Sequence, residues 1–314
     1  MRRVVVLGGS GFFGRLIVDR LRIAGLNPIA ASRSSTELSI DANSVESIRA
    51  SLKTRDIVID AAGPFQSRTP ALIQAARTVG FDVIDLSDSP EYTRMIYDQE
   101  APISSSGIRV LTACSSLSTV SALMLQASGA DNPTRLTVYL LPATRHTANP
   151  GAVTSFFRGI EGGWRRLHFP QPVGNRSGIT VKSVDAITLP RVFPSLQATE
   201  FVVDSGMGLT ILMRSAMLRR LMEKYQSQML KVAKSLGPKR GIIGYDIGSA
   251  VRRRQRVFVG ENSYMIAVIP AIEAAIAIAN GRFSHRGLVA PIHHLPLDTF
   301  LAAVEKERIQ MITV

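Results

Sequence analysis

Three glycines at a spacing of three residues stand near the start of the chain. Gly8, Gly11 and Gly14 follow the aliphatic run 4–7, and apolar residues then recur at roughly helical spacing. Glycine lets a backbone turn sharply and approach a ligand closely, and the first N–H groups of a helix attract phosphate oxygens. The pattern therefore indicates a strand, a turn and a helix that hold a nucleotide diphosphate; the alternative is a tight turn without a ligand. The predicted contacts are Gly8, Ser10, Gly11, Phe12, Phe13 and Gly14.

A serine-flanked arginine ends the second predicted strand, which covers 27–31. In a dinucleotide site, an acidic residue at this position binds the ribose 2′-hydroxyl of NAD, whereas an arginine suits the 2′-phosphate of NADP. Arg33 can bind a phosphate through two hydrogen bonds. The hydroxyl groups of Ser32 and Ser34 can donate additional hydrogen bonds to the same phosphate. No Asp or Glu occurs in 27–36. These residues favour NADP over NAD; the alternative is an exposed loop arginine.

Small residues follow the next long aliphatic strand, predicted over 56–60. Ala62, Gly63 and Pro64 would let a ribose or a diphosphate lie against the backbone. We therefore add these three residues to the predicted cofactor contacts.

The elements that must position these residues alternate along the first part of the chain. Strand and helix patterns alternate through about residue 128, which is typical of a doubly wound parallel sheet. We predict a nucleotide-binding domain over 1–128 and an α+β domain for substrate binding or dimerisation over 129–314. The segment from about 264 to 314 is a candidate to pack back on the first domain.

The second half of the chain is less periodic. A strand is predicted over 179–189, a helix over 217–236 and an edge strand over 255–259. The apolar stretch 207–218 fits core, an interface or a pocket wall, and the pattern does not separate these alternatives.

Composition excludes several classes of protein. The chain has 314 residues, of which 46% are hydrophobic and 19% charged, as expected for a globular protein. A single cysteine, Cys114, excludes an internal disulfide framework and a cysteine-rich metal site. We expect no signal peptide before the first strand, and the apolar segment 264–279 is too short and too interrupted to span a membrane. We expect a cytoplasmic protein with no bound metal.

The net charge of +13 allows binding to nucleic acid or to an anionic membrane surface. The charges are scattered, however, and no zinc-ligand spacing or RNA-binding aromatic motif accompanies them. An enzyme that handles small anionic ligands is the more economical interpretation. We expect no nucleic-acid partner, and the sequence leaves a homodimer open.

Hydride chemistry requires a group that supplies or removes a proton. Cys114 and Asp88 follow predicted strands, at the edge of the sheet where ligands bind. For Cys114 the alternative is a purely structural role, since a lone cysteine is more often a small buried apolar residue. None of the tyrosines has a lysine four residues later, which argues against a short-chain dehydrogenase.

Several of these segments together resemble the saccharopine dehydrogenase (saccharopine reductase)-like oxidoreductases. The segments are the glycine turn 8–15, the strand end 31–34 and Ala-Ala-Gly-Pro-Phe at 61–65. The resemblance implies a Rossmann domain with an inserted or following α/β domain. It also implies NADP binding and oxidation or reduction of a C=N or C=O bond in a small anionic or amino-acid-like substrate.

Two loops depart from the pattern of that family. Ser87-Asp88-Ser89 replaces Ser-Gly-Glu, and the stretch 114–118 lacks the usual Asp and Pro. Loops at these positions border the nicotinamide in such folds. The departures leave open an NADP-binding regulatory protein without turnover, and the net charge leaves open a basic binder of nucleic acid or membrane surfaces.

Overall fold

The computed structural model describes residues 2–206 and 209–314, which form two compact units. Unit 1 comprises Met1–Val120 and Ala267–Phe300, and unit 2 comprises Ser121–Ile266 and Leu301–Val314. Met207, the first residue of the predicted apolar stretch, lies outside the described residues. The predicted boundary at residue 128 and the roles given to the two parts stay predictions.

Strands and helices alternate along most of the chain. The strands are β1 (Val4–Leu7), β2 (Pro28–Ser32), β3 (Leu38–Ser39), β4 (Ile57–Asp60), β5 (Asp82–Asp85), β6 (Arg109–Leu111), β7 (Arg135–Leu141), β8 (Ile160–His168), β9 (Asn175–Val181), β10 (Ala198–Val203), β11 (Gly241–Gly248), β12 (Arg253–Gly260), β13 (Gly287–Leu288) and β14 (Gln310–Thr313). The helices are α1 (Phe12–Ile23), α2 (Val45–Ser51), α3 (Ala71–Val79), α4 (Pro90–Tyr97), α5 (Glu100–Ser106), α6 (Thr119–Ala127), α7 (Thr144–Thr147), α8 (Pro150–Gly159), α9 (Asp185–Thr188), α10 (Ala216–Lys224), α11 (Gln226–Leu236), α12 (Ile269–Ala279) and α13 (Leu297–Lys306). Short three-ten helices cover Phe65–Ser67, Leu209–Arg214, Ser263–Ala267 and Pro291–His293.

Unit 1 contains a seven-stranded parallel sheet in the order β13-β6-β5-β4-β1-β2-β3. The chain builds outward from β1 through β2 to β3, and then from β4 on the other side of β1 through β5 to β6. This is the Rossmann order, and the direction of building reverses between β1 and β4. The predicted doubly wound parallel sheet is therefore confirmed, and its topological switch point lies between these two strands.

Burial explains why the central strands read as continuous aliphatic runs. All residues of β1, β4 and β5 are buried, because helices cover both faces of a parallel sheet. The helix α1 buries one stripe, which includes Ile17, Val18 and Leu21. Through this buried stripe, α1 packs against β1 and β2.

Unit 2 contains a mixed seven-stranded sheet in the order β14-β12-β11-β7-β10-β9-β8. The pair β7 and β10 is parallel, and the other neighbours are antiparallel. Buried side chains form two apolar clusters, one around Tyr139 and Phe169 and one around Ile179 and Met213. The predicted second α+β domain is confirmed. Within the described ranges, no helix is long and apolar enough to cross a bilayer.

Three sequence predictions for unit 2 are wrong in part. The predicted strand over 179–189 ends at Val181, and α9 follows it. The predicted helix over 217–236 breaks at Tyr225, whose backbone leaves the helical conformation between α10 and α11. The predicted edge strand β12 lies between β11 and β14, because β14 pairs with it from the far end of the chain.

Candidate functional site

The turn after β1 and the loop after β4 meet at the switch point of the unit 1 sheet. Gly8 has a positive φ of 72°, and its N–H donates to the Ala31 carbonyl at 2.8 Å. A Cβ on Gly8 would lie 2.8 Å from the Ala61 carbonyl oxygen and 2.9 Å from the Ala62 Cα. The structure therefore brings Gly8 and Ala62 together, in the crevice where open α/β sheets bind ligands.

Close packing explains the glycines that follow. A Cβ on Gly14 would overlap the Gly8 carbonyl, so only glycine lets α1 approach the turn this closely. A Cβ on Gly9 would meet the Ala30 Cβ at 2.7 Å. Gly14 is buried and allows the helix to pack against the turn. Ser10 and Gly11 are exposed.

The first turn of α1 is suited to an anion. Its N-cap residue, Gly11, provides no side-chain cap, and the first turn carries no acidic residue. The basic residues Arg20 and Arg22 lie in the last turn. Because the N-terminal end of a helix carries partial positive charge, phosphate oxygens are favoured here. Phe12 and Phe13 are partly exposed beside this end, with ring centroids 5.1 Å apart.

The predicted 2′-phosphate contacts lie directly after β2. Arg33 and Ser34 are exposed, and Ser32 is half-buried. The Arg33 carbonyl accepts a hydrogen bond from the Ser39 hydroxyl at 3.0 Å, which holds the backbone of this turn. Within the described residues, no hydrogen bond or ion pair engages the Arg33 guanidinium.

An acidic residue that the sequence analysis missed lies close to β2. The Glu37 carboxylate accepts a hydrogen bond from the Ala30 N–H at 3.3 Å. Glu37 lies one residue beyond the range 27–36, which contains no Asp or Glu. The pairing of β3 with β2 places Glu37 opposite Ala30.

The loop after β4 exposes its backbone at Gly63 and is held in place by a hydrogen bond from Arg68. Gly63 is exposed, and a Cβ there would meet only the Phe65 N at 4.0 Å. Pro64 is half-buried beside it. The Arg68 guanidinium donates to the Ala62 carbonyl at 2.9 Å. The loop therefore presents Ala62 and Gly63 from a fixed position.

A buried ion pair beneath this loop was missed by the sequence analysis. Arg68 donates to both carboxylate oxygens of Asp60, at 3.0 and 2.7 Å, and also to the Asn43 side chain and the Ala42 carbonyl. The Asp60 side chain is fully buried and that of Arg68 is 5% exposed. Burial acts to lower the pKa of Arg68, but the charge and hydrogen bonds of Asp60 outweigh it, so the pKa is raised.

A second buried carboxylate lies on the neighbouring strand. Asp85 ends β5 as Asp60 ends β4, and the two residues pair across the sheet. Asp85 Oδ1 accepts from the backbone N–H groups of Ser87 and Ala113, at 3.0 and 2.9 Å. The Tyr92 hydroxyl is buried without a hydrogen-bond partner among the described residues, and the Thr112 hydroxyl acts on the Asp85 carboxylate. Two aliphatic runs that both end in Asp were the sequence signal for this arrangement.

Burial raises the pKa of Asp85 from its ordinary value of 3.8 to about 6, although its backbone hydrogen bonds act in the opposite direction. The unfolded chain thus ionises Asp85 near pH 4, whereas the native state holds this proton up to about pH 6. Between these values the native state binds more protons, so stability falls as pH rises, by about 3 kcal/mol in total.

We therefore expect Asp85→Asn to gain about 3 kcal/mol relative to the parent protein between pH 4 and pH 7. Asparagine keeps an oxygen for the two backbone donors and cannot ionise. Urea unfolding at a series of pH values measures this difference. Asp41→Asn, at an exposed position of the same unit, is the matched control. Parallel stability curves for Asp85→Asn and the parent protein would refute the expectation.

The two predicted proton-transfer residues lie in different environments. Cys114 is fully buried, and burial raises the pKa of its thiol, which disfavours the thiolate. Asp88 is half-buried, and its carboxylate accepts from the Gln66 side chain at 3.3 Å. The backbone at Ala113 and Ser118 has positive φ, 51° and 64°, on either side of the loop that holds Cys114.

His294, in the same unit, is fully buried. His294 Nδ1 lies 2.6 Å from the Thr119 hydroxyl, and Nε2 lies 3.1 Å from the Val289 carbonyl. A carbonyl only accepts, so Nε2 carries the proton and Nδ1 accepts from Thr119. Burial lowers the pKa of His294 to about 3. His294 is therefore neutral at neutral pH and acts as a structural hydrogen-bonding group.

Unit 2 has a cavity of its own, with a volume of about 490 Å³. Its lining combines the ring of Trp164, the cation of Arg176 and the carboxylate of Asp204 with apolar residues such as Leu141. Such a mixed lining suits a small ligand that has an apolar part and a charged group. In the part of the chain that the structure describes, no group of three or more His, Cys, Asp or Glu residues could hold a metal ion.

No protein-family model and no curated protein sequence matches the chain. UDP-N-acetylglucosamine 3-dehydrogenase GnnA from Acidithiobacillus ferrooxidans is similar over 97% of this chain and 95% of that chain, with 10% identity and a TM-score of 0.44. The WlbA (WbpB) dehydrogenase from Thermus thermophilus, in complex with NAD and UDP-GlcNAcA, is similar over 97% and 95%, with 11% identity and a TM-score of 0.38.

A third similar structure is UDP-N-acetylglucosamine 4-epimerase from Bacillus cereus, with 21% identity and a TM-score of 0.24. That match covers 27% of this chain and 39% of the epimerase chain, so this chain spans less than half of it. At these low identities and TM-scores, the similarities do not indicate an activity for this chain.

Proposed function

We propose that unit 1 binds NADP(H) in the crevice between the turn after β1 and the loop after β4. The close approach of Gly8 to Ala61 and Ala62, at the switch point of a Rossmann sheet, is the observation that carries this proposal. The glycine turn and the start of α1 would hold the diphosphate. The turn 32–34 would hold the 2′-phosphate, and the loop 62–64 would lie beside the ribose.

We further propose that the protein is an oxidoreductase acting on a C=N or C=O bond of a small anionic or amino-acid-like substrate. The resemblance to saccharopine dehydrogenase-like enzymes and the net charge of +13 support this substrate class. The bound nicotinamide would donate or accept the hydride. Of the two candidates for proton transfer, Asp88 is the more suitable, since the thiol of Cys114 is fully buried. The cytoplasmic location and a homodimer stay predictions.

Arg33→Ala is expected to remove most of the preference for NADPH over NADH. Charge-assisted hydrogen bonds from a guanidinium contribute about 1.5–3 kcal/mol each, so NADPH binding would weaken by about tenfold to a hundredfold. Affinity for NADH, which lacks the 2′-phosphate, would change little. Calorimetric titration of both cofactors measures the two affinities.

Two further variants sharpen this test. Arg22→Ala removes an exposed arginine at the opposite end of α1 and should leave the preference unchanged. Glu37→Gln removes the carboxylate beside β2 and should not weaken NADPH binding. A preference for NADH that Glu37→Gln abolishes would overturn the assignment of NADP.

The alternative is an NADP-binding regulatory protein without turnover. The loops that depart from the family pattern favour it, because Ser87, Ser89 and Cys114 are all buried rather than presented to a ligand. Oxidation of NADPH in the presence of any imine or carbonyl substrate would eliminate this alternative. Tight NADPH binding without turnover on a broad substrate panel would favour it.

A further inference from the structure

One part of unit 2 concentrates the positive charge of the protein. The segment 209–240 contains eight Lys or Arg residues and one Glu, so it accounts for more than half of the net charge of +13. It forms the three-ten helix Leu209–Arg214 and the helices α10 and α11. We call α10 and α11, with Tyr225 between them, the basic helical surface.

The same helices expose large apolar side chains. On α10, Met217 is 78% exposed, and Leu221, four residues later on the same face, is also exposed. On α11, the exposed residues Val232 and Leu236 repeat this spacing, and Leu236 is 72% exposed. Residues four apart lie on one face of a helix. Each of the two helices therefore carries an exposed apolar pair.

On α10, basic side chains flank the apolar pair. Arg220 and Lys224 are exposed three residues after Met217 and Leu221, on the same side of the helix. On α11, Lys231 and Lys234 are exposed on other sides of the helix and add positive charge. Helices with exposed apolar residues and Lys or Arg beside them are typical of segments that lie in the interface of a lipid bilayer. Their apolar side chains enter the acyl boundary, and their basic side chains contact lipid phosphates.

Charge distinguishes a bilayer from other occupants of this surface. In a twofold dimer, the same patch of each copy faces the other, which would bring two strongly positive surfaces together. A nucleic acid would neutralise the charge but would leave Met217 and Leu236 without an apolar partner. An anionic bilayer provides negative charge and an apolar layer at the same place.

We propose that the basic helical surface binds anionic lipid bilayers, with Met217, Leu221, Val232 and Leu236 inserted between the headgroups. The binding is peripheral and reversible, and it needs no membrane-spanning helix. It is independent of the function proposed for unit 1.

Sedimentation with vesicles tests this proposal on the full-length protein. The probes are vesicles of phosphatidylcholine alone and vesicles of phosphatidylcholine mixed with phosphatidylglycerol. We expect binding to the anionic vesicles only, weakened by salt because the attraction is electrostatic. Met217→Glu combined with Leu221→Glu should weaken binding by about tenfold or more. Val251→Glu, in the turn between β11 and β12 where this side chain is 87% exposed, should not.

A second variant keeps the test decisive if the first one is poorly folded. Arg220→Glu combined with Lys224→Glu should also abolish binding to anionic vesicles, while circular dichroism remains unchanged. The proposal is wrong if the parent protein does not bind the anionic vesicles, or if Val251→Glu weakens binding as much as the variants on the basic helical surface. It is also wrong if light scattering shows a dimer that Met217→Glu and Leu221→Glu dissociate, since a second copy would then cover the surface.

Discussion

Arg68→Met is expected to destabilise unit 1 by about 3–5 kcal/mol, the range measured when one partner of a buried ion pair is removed. Arg68 makes two hydrogen bonds to the fully buried Asp60 carboxylate. Methionine fills much of the volume but leaves Asp60 charged and without its partner. The loss would also release the Ala62 carbonyl and thereby the loop after β4.

Two comparisons separate this effect from a general loss of an arginine. Arg49→Met removes an exposed side chain of the same unit that contacts the Thr78 hydroxyl, and it should cost less than about 1 kcal/mol. The double variant Asp60→Asn with Arg68→Met removes both charges and should recover most of the lost stability. Urea unfolding measures all three variants. A cost for Arg68→Met equal to that of Arg49→Met would contradict the account.

Gly14→Ala is expected to weaken NADPH binding by about tenfold to a hundredfold and to lower the stability of unit 1 by about 1–3 kcal/mol. The added Cβ would overlap the backbone carbonyl of Gly8, which cannot rotate away as a side chain can. Either α1 or the turn after β1 must therefore move. Both would carry the diphosphate contacts, so binding and stability change together.

Gly248→Ala is the matched control for this prediction. Its Cβ would meet only side-chain atoms of Arg135, at 3.7 Å and beyond, which is an ordinary contact distance. This variant should bind NADPH as the parent protein does. Calorimetric titration gives the affinities, and thermal unfolding gives the change in stability. If Gly14→Ala retains full affinity for NADPH, the glycine turn is not the diphosphate site.

Local patterns in the sequence were sufficient to predict the parallel sheet of unit 1. The aliphatic run before Gly8 and the helical spacing after it correspond to β1 and α1. The position of Arg33 after β2 follows from the same reasoning. These predictions succeeded because strands, turns and helices of this kind are determined by residues close together in the chain.

Contacts between distant segments could not be predicted in this way. The pairing of β12 with β14 joins segments separated by about fifty residues, and it turned a predicted edge strand into an inner one. The ion pair of Asp60 with Arg68 joins residues only eight apart, but it depends on the conformation of the irregular loop between them. The burial of Cys114 likewise depends on the packing around it, although its place after β6 was predicted.

The most direct test of the account is calorimetric titration of the full-length protein with NADPH and with NADH. We predict that NADPH binds, and binds more tightly than NADH, because Arg33 lies exposed after β2, where we propose that the 2′-phosphate binds. If neither cofactor binds, the glycine turn is purely structural and the proposed oxidoreductase function is wrong.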